Sequence, residues 1–328
     1  MNTWQHMKNY LINLGVKSRS SLILPINKDN FALIPQNNPI SIPTHNPFMS
    51  LGWIDMEHMS IETFEKKSKD LTSLQRAEVL AHLFSKKITY FFTKSSHEKF
   101  DVLIKQGIDG TFKSRDRFLF ELFLNDYHDF EYKALTLQIL NQTNLDLVIQ
   151  EKLIQAEKNP DDFGLIDKLL IHNFDEITQH LSQSIFFLKW VEAKNKALIP
   201  PLIRALLAYN YKSAGLLVQL GTDPNVCLIS ASSRQSALHL LLWEKEKNQG
   251  NPHWGGSPLF EQLLEAGANP FLSMAPFSTH TAHDFAENKG DPWALDMEMA
   301  AKRQEDLAVL NLLRDIPLNP TLNPKKRL

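Results

Sequence analysis

The sequence predicts an all-α fold built as an array of short helices, and three observations lead to this prediction. From Ser60 onward, apolar residues recur at spacings of three and four, which places them on one face of a helix. Asp, Asn and Pro residues interrupt this pattern repeatedly. The segments between the interruptions are short, and short helices joined by short turns pack as antiparallel pairs.

The composition is typical of a folded, water-soluble chain and argues against nucleic-acid binding. Its 43% hydrophobic and 22% charged residues are near the averages of soluble globular proteins, which argues against wholesale disorder. At 328 residues the chain can bury a core without a metal or a disulfide. Its net charge is -2, with 35 Lys and Arg against 37 Asp and Glu, so no overall positive field favours nucleic acid. Cys227 is the only cysteine, which excludes an intrachain disulfide and fits an intracellular location.

The sequence shows no segment typical of membrane insertion or of Sec-dependent export. The strongest apolar stretch, residues 185–191, is short and contains Lys189, whereas a membrane-spanning helix needs roughly 20 apolar residues. The first residues carry Asn13 in their only apolar patch and lack a small-residue cleavage site. We therefore expect no membrane insertion, and any delivery out of the cell would use a non-Sec route.

The first 58 residues differ from the rest of the chain. They show little periodicity, many Asn and Ser residues, and a series of prolines at Pro25, Pro35, Pro39, Pro43 and Pro47. We interpret residues 1–58 as an irregular, proline-rich arm. At the other end, residues 317–328 are interpreted as a flexible tail.

Residues 59–195 are predicted to form a region of short helices. One helix begins near Thr72, where Leu74, Ala77, Ala81 and Phe84 share a face. The apolar pattern predicts further helices over residues 115–124, 130–140, 145–156, 164–171 and 176–191.

Two sequence units recur between residues 196 and 316. The first opens with Pro201-Leu202-Ile203-Arg204-Ala205 and closes with Leu216-Leu217-Val218-Gln219-Leu220-Gly221-Thr222-Asp223-Pro224-Asn225. The second opens with Ser236-Ala237-Leu238-His239 and closes with Leu263-Leu264-Glu265-Ala266-Gly267-Ala268-Asn269-Pro270. These segments resemble the TPLHxA opening and the LLxxGADPN ending of ankyrin repeats.

The spacing within each unit bears on this resemblance. Ile203 and Gly221 are separated by 18 residues, as in the ankyrin family, whereas His239 and Gly267 are separated by 28. The surplus falls in a Gly-rich stretch, residues 248–257, which we interpret as a loop inserted between two helices. A third unit opens with Thr281-Ala282-His283-Asp284-Phe285-Ala286, and its second helix is predicted over residues 307–313, after an insertion around residues 291–303.

The resemblance implies a carboxyl-terminal stack of helix pairs with projecting hairpins, here called fingers. The fingers are expected over residues 223–235 and 269–280, because Asp-Pro or Asn-Pro starts a turn after each second helix. Upstream, Leu103-Ile104-Lys105-Gln106-Gly107-Ile108-Asp109 is similar to another repeat ending. Residues 59–195 are therefore either divergent repeats or a separate helical domain.

The resemblance implies that the protein binds another protein and has no cofactor. Eroded repeats beside an unfamiliar helical region are similar to ankyrin proteins that intracellular bacteria deliver into host cells, which implies a host protein as the partner. The alternative is an effector enzyme in which residues 60–195 modify a protein recruited by the repeats. Recovery of an unmodified partner would favour the first interpretation, and a modified partner would favour the second.

The predicted binding residues lie at the finger tips and in the Gly-rich loop. Arg234 and Gln235 occupy the first tip, and Met274 and Phe277 occupy the second, which is unusually apolar for a solvent loop. Trp254 either folds back on the stack or stays exposed as an interface anchor, since Trp, Met and Phe are enriched in interfaces.

The sequence offers few candidates for metal binding or catalysis. His280, His283 and Asp284 could ligate zinc, but their spacing does not place both histidines on one helical face. The resemblance gives His239 a structural role, and Cys227 would need a rigid base and oxyanion donors to act as a nucleophile. We expect no metal site and assign no catalytic residue.

Overall fold

A computed structural model describes residues 56, 58–87, 94–114, 116–124, 130–229, 234–248, 254, 256–273 and 280–314. Of the predicted arm it describes only Met56 and His58, and the predicted tail lies outside the described residues. The described chain is mostly helical with a few short strands, which confirms the all-α class.

The described residues fall into two compact units. The amino-terminal unit comprises residues 56–158 and 163–190, and the carboxyl-terminal unit comprises residues 159–162 and 191–314.

The amino-terminal unit contains short helices and one small hairpin. Its helices are α1 (Ile61–Lys69), α2 (Ser73–Lys87), α3 (Lys94–Lys105), α4 (Leu119–Phe123), α5 (Phe130–Leu140), α6 (Leu145–Lys158), α7 (Leu165–Ile171), α8 (Asp175–Leu181) and α9 (Phe187–Lys194), which ends in the other unit. Strands β1 (Lys113–Ser114) and β2 (Arg117–Phe118) pair antiparallel before α4.

Helix α2 starts where the sequence predicted. The Thr72 hydroxyl accepts from the Gln75 N–H at 3.2 Å, and the Gln75 amide oxygen accepts from the Thr72 N–H at 3.0 Å. These reciprocal bonds satisfy backbone donors that the first helical turn leaves unpaired. Of the predicted apolar face, Ala77, Ala81 and Phe84 are buried and Leu74 is half-buried; the Phe84 ring lies 4.2 Å from that of Phe123.

Two helices predicted in this unit were wrong in extent. Residues 115–124 do not form one helix, because a turn at Asp116, with φ 63°, closes the β1–β2 hairpin and α4 begins only at Leu119. Residues 176–191 form two helices, α8 and α9. At the break, the Ser184 hydroxyl accepts from the Phe186 N–H at 3.2 Å, a local bond that competes with helix continuation, and it donates to the distant Asp146 Oδ1 at 2.8 Å.

The carboxyl-terminal unit alternates helix pairs with a hairpin. Its elements are α10 (Pro201–Leu207), α11 (Tyr211–Gln219), β3 (Cys227–Ile229), β4 (Arg234–Ser236), α12 (Ala237–Lys247), α13 (Gly256–Glu265), α14 (Ala282–Asn288) and α15 (Trp293–Arg314). Each first helix packs on its second helix, in the pairs α10–α11, α12–α13 and α14–α15. The first helices also pack in sequence, as do the second helices, so the unit consists of two parallel rows.

The last helix differs in extent from its prediction. The sequence placed a short helix at residues 307–313 after an insertion, but α15 is a continuous helix of 22 residues. Trp293, Met297 and Ala300 lie buried on its inner side, and the Gln304 side chain donates to the Leu264 carbonyl at 3.1 Å. The supposed insertion is therefore the part of α15 that packs on α13.

Helices α3, α11 and α13 are each followed by a glycine, and the three glycines have closely similar backbone geometry. Gly107, Gly221 and Gly267 have φ of 89°, 88° and 94°, a conformation that residues with a Cβ rarely adopt. After two of them the chain turns back on the helix, where Thr222 N–H donates to the Leu217 carbonyl and Ala268 N–H to the Leu263 carbonyl. Three helix ends thus follow one pattern.

The turns after α7, α10 and α14 also share one backbone geometry. Asn173, Tyr209 and Gly290 follow α7, α10 and α14 with φ of 56°, 58° and 64°. In each case the next residue donates its N–H to a carbonyl five residues earlier, at 2.9–3.0 Å. The turns between paired helices are therefore equivalent in conformation although their residues differ.

Helix starts repeat a third feature, a side chain at the third helical position that accepts from the backbone N–H just before the helix. Asp284 accepts from Thr281 at 2.8 Å and Asp167 accepts from Gly164 at 2.7 Å. Glu121 accepts from Phe118 at 3.2 Å in the same manner. Such pairs fix where α14, α7 and α4 begin.

Candidate partner-binding surface

The first finger is an antiparallel hairpin, as the sequence predicted. Its register pairs Cys227 with Ser236, Leu228 with Gln235, and Ile229 with Arg234. Near its base, Leu228 is 1% exposed. The Ile229 N–H donates to the Leu198 carbonyl at 3.2 Å, which ties the hairpin to the segment before α10. This bond therefore holds the hairpin at Ile229, the last described residue of its first strand.

Arg234 and Ile229 form the outward part of this finger. Arg234 is exposed, Gln235 is half-buried, and Ile229 is 49% exposed directly opposite Arg234. Sequence reasoning missed Ile229, although its alternation with buried Leu228 was the available signal. The pair offers a cation beside an apolar side chain.

Only the base of the second finger is described. Phe271 is 47% exposed, and its ring lies 5.1 Å from that of His283 at the start of α14. The predicted binding residues Met274 and Phe277 lie outside the described residues. Phe271 extends the outward apolar surface to this second finger.

Asn225 joins the bases of the two fingers. Its side-chain N–H donates to the Gly267 carbonyl at 3.2 Å, and its Oδ1 accepts from the Asn269 N–H at 2.6 Å. The side chains of Asp223 and Asn269 close the same tight turn in the two loops, accepting from Asn225 N–H and Phe271 N–H. Neighbouring fingers are thereby held at a fixed spacing.

His239 lies in the core beneath the fingers. Its Nδ1 is 2.8 Å from the Ser236 hydroxyl and accepts from the Ser236 N–H at 3.3 Å. Burial lowers the pKa of His239 to about 4, while hydrogen bonding by the His280 backbone and the charge of Asp284 act in the opposite direction. A neutral, buried imidazole fits the structural role that the sequence predicted.

Trp254 folds back onto the helices and is half-buried. Its indole N–H donates to Tyr211 Oη at 3.1 Å, and its ring stacks at 5.7 Å on Trp293, which stacks at 3.8 Å on Phe260. The sequence left open whether Trp254 packs on the helices or stays exposed, and these contacts correspond to a packed side chain. Lys245 Nζ covers the Trp293 ring at 3.8 Å and pairs with Asp291.

The structure groups the candidate metal ligands differently from the prediction, which was His280, His283 and Asp284. Among the described residues, His283, Asp284 and Glu287 can bring one ligand atom each within 4.8 Å of one another, whereas His280 is not part of the group. His283 Nε2 already lies 3.0 Å from Glu298 Oε1, and Asp284 caps α14. The absence of a metal site stays a prediction.

Cys227 has the properties of a packed side chain. It is 5% exposed, and burial raises the pKa of its thiol despite a hydrogen bond from Arg234 that acts in the opposite direction. At neutral pH it is therefore the protonated thiol, which is a poor nucleophile.

Within the described part of the chain, no helix is both long and apolar enough to cross a bilayer. Comparison with family models, curated proteins and solved structures gave no match to this chain.

Proposed function

We propose that the carboxyl-terminal unit is a stack of ankyrin-like repeats that binds another protein through its fingers and the exposed faces of its first helices. A host-cell protein is the proposed partner, and the chain is proposed to reach the host cytoplasm by a non-Sec route. The observation that carries the proposal is the recurrence of one loop geometry at Gly221 and Gly267, with Asn225 bonded across both.

Repetition of this kind supports an interaction function, because repeat arrays use one set of residues to pack neighbouring units together and leave another set exposed. The buried side chains and glycines hold neighbouring helix pairs together, as Leu217, Leu263 and Ala282, each 0% exposed, do here. Exposed side chains contribute less to this packing. Arg234, Ile229 and Phe271 are outward, and two of them are large apolar groups.

The amino-terminal unit carries one loop of the same geometry. Gly107 has φ 89°, and the Asp109 side chain accepts from the Thr111 N–H as Asp223 does from Asn225. The hairpin β1–β2 and the start of α4 follow in the same order as β3–β4 and α12. These features support divergent repeats over a separate domain for this stretch.

Capture followed by a charge-reversal variant tests the proposal. Tagged full-length protein is used to capture proteins from a host-cell lysate, and the affinity of each purified candidate is then measured. Arg234→Glu is expected to weaken binding of the true partner at least about ten-fold, because a rim charge becomes repulsive in its interface. Arg303→Glu on the exposed side of α15 is the matched control and should bind normally.

Two outcomes would contradict the proposal. Equal affinity of Arg234→Glu and the unaltered chain for every candidate would remove the first finger from the interface. A candidate recovered with a covalent modification that purified full-length protein reproduces would instead support the enzymatic alternative. Intact-mass spectrometry of the candidate before and after incubation distinguishes the two functions.

A further inference from the structure

The last helix, α15, carries a series of exposed apolar side chains. The Gln304 side chain still reaches α13, whereas every side chain from Glu305 to Leu312 is exposed. The large apolar side chains in this second half are 54–70% exposed, and they are Leu307, Val309, Leu310 and Leu312. In the first half, Leu295 and Met299 are 61% and 46% exposed. Neighbouring apolar groups left in water are typical of an interaction surface.

The exposed side of α15 has the residue spacing of a coiled coil. Five of its residues are separated by four, three, four and three positions, and they are Leu295, Met299, Lys302, Asp306 and Val309. This alternation is that of the a and d positions of a heptad repeat, and it keeps the five on one stripe of the helix, here called the outer stripe. All five are exposed, and the opposite side of α15 holds the buried Trp293, Met297 and Ala300. The helix can therefore pack on its own stack with one side and on another helix with the other.

Two opposite charges occupy the middle of the outer stripe. Lys302 and Asp306 lie between Met299 and Val309, at positions where a coiled coil usually has apolar residues. In a parallel pair of identical helices, each charge would face its own copy and be repelled. In an antiparallel pair centred at the level of Gln304, Lys302 faces Asp306 of the second copy, because both residues lie two positions from the centre. Met299 and Val309 face each other in the same way, so the outer stripe is complementary to itself in the antiparallel direction.

We propose that two copies of this chain associate through α15, which pairs antiparallel with the same helix of the second copy. The apolar layers of Met299 and Val309 supply attraction by removing their side chains from water. The two Lys302–Asp306 pairs between these layers set the direction and the register, because any other alignment leaves a charge against an apolar or like-charged residue. This association is independent of the proposed binding of another protein.

The size of the contact sets the expected strength of the dimer. Helix α15 has 22 residues and is roughly 33 Å long. A contact between two single helices of this length belongs with the small interfaces, which bury less than about 1,200 Å² and are weak. Arg303 and Glu305 lie exposed at the two edges of the outer stripe, where charged groups contribute little. We therefore expect a dissociation constant on the order of 10–100 µM.

Sedimentation velocity of the full-length protein tests the association. The unaltered chain should change from monomer to dimer as its concentration rises from about 1 to about 200 µM. Lys302→Glu and Asp306→Lys should each weaken association at least about ten-fold, because like charges then meet twice in the dimer. An equimolar mixture of these two variants should associate again, since opposite charges meet at both positions of the mixed pair. Glu261→Lys on the exposed side of α13 is the control and should behave as the unaltered chain does.

Three results of this experiment would overturn the proposal. The first is an unaltered chain that stays monomeric at every concentration, which would mean that no second copy covers the outer stripe. The second is normal association of either charge-reversal variant. The third is a mixture of the two variants that stays monomeric while the unaltered chain forms dimers, because loss of charge complementarity could then not explain the loss of association.

Cysteine cross-linking tests the direction of the pair. A chain with both Met299→Cys and Val309→Cys should form intermolecular disulfides under mild oxidation, because the two positions face each other across the antiparallel pair. Met299→Cys alone should remain unlinked, since its two copies would lie about 15 Å apart along the helices. The native Cys227 is buried and serves as the background in both variants. Efficient cross-linking of Met299→Cys alone would indicate a parallel pair and contradict the proposal.

Discussion

The buried state of His239 predicts that acid destabilises the carboxyl-terminal unit. In the folded chain its pKa is about 4, against 6.5 for an unburied histidine, so the unfolded chain binds the proton more readily. The stabilisation is fully present above about pH 6.5 and is lost as the pH falls toward 4. Over that window the loss is about 2 kcal/mol at pH 5 and about 3 kcal/mol at pH 4.

A variant without an imidazole at position 239 isolates this contribution. His239→Gln cannot titrate, so the difference in unfolding free energy between the two proteins should shrink by those amounts between pH 7.5 and pH 4. Other titrating groups contribute equally to both proteins and cancel. Urea unfolding followed by tryptophan fluorescence gives the two free energies at each pH. A difference that does not change with pH would refute the assignment of His239 as a buried neutral imidazole.

Four further predictions follow from the packing. Leu263→Ala should cost about 2–5 kcal/mol in urea unfolding, because Leu263 is fully buried, whereas Glu261→Ala should cost little. Gly256→Ala should lower the melting temperature and change tryptophan fluorescence, since an added Cβ would clash with the Trp254 ring; normal values would argue against that packing. Asn225→Ala should cost about 1 kcal/mol, because its hydrogen bonds to the Gly267 carbonyl and the Asn269 N–H are lost; unchanged stability would contradict the role of Asn225. Metal analysis of protein purified without chelators should find no stoichiometric zinc, and one ion lost in His283→Ala would overturn that expectation.

The carboxyl-terminal helix pairs were predictable because short-range chemistry marks their ends. Gly221 and Gly267 mark the ends of second helices, and Ser236 and Thr281 mark the starts of first helices. Each signal depends on a few adjacent residues and on backbone geometry that few residue types accept. Such signals can therefore be read from a single sequence.

The extent of α15 was not predicted, because the leucine-rich residues 307–313 were assigned to the second helix and residues 291–303 to an insertion. Residues 293–306 are rich in Ala, Met, Glu, Lys and Arg, which favour helices. Local propensity was the better guide at the end of the array, where no further repeat follows among the described residues.

The exposure of Ile229 on the first finger was not predicted. Ile229 lies directly opposite Arg234 and is 49% exposed, whereas its neighbour Leu228 is buried. A shift of the strand register by one residue would exchange the two faces, and the apolar sequence around Cys227 and Leu228 does not specify that register by itself.

Hydrogen–deuterium exchange of the full-length protein with its captured partner tests the central proposal most directly. We expect protection of backbone amides to concentrate in residues 223–235 and 269–280, the two fingers, with little change in residues 130–158. Protection confined to residues 59–195, with the fingers exchanging as in the free protein, would contradict binding through the repeat stack.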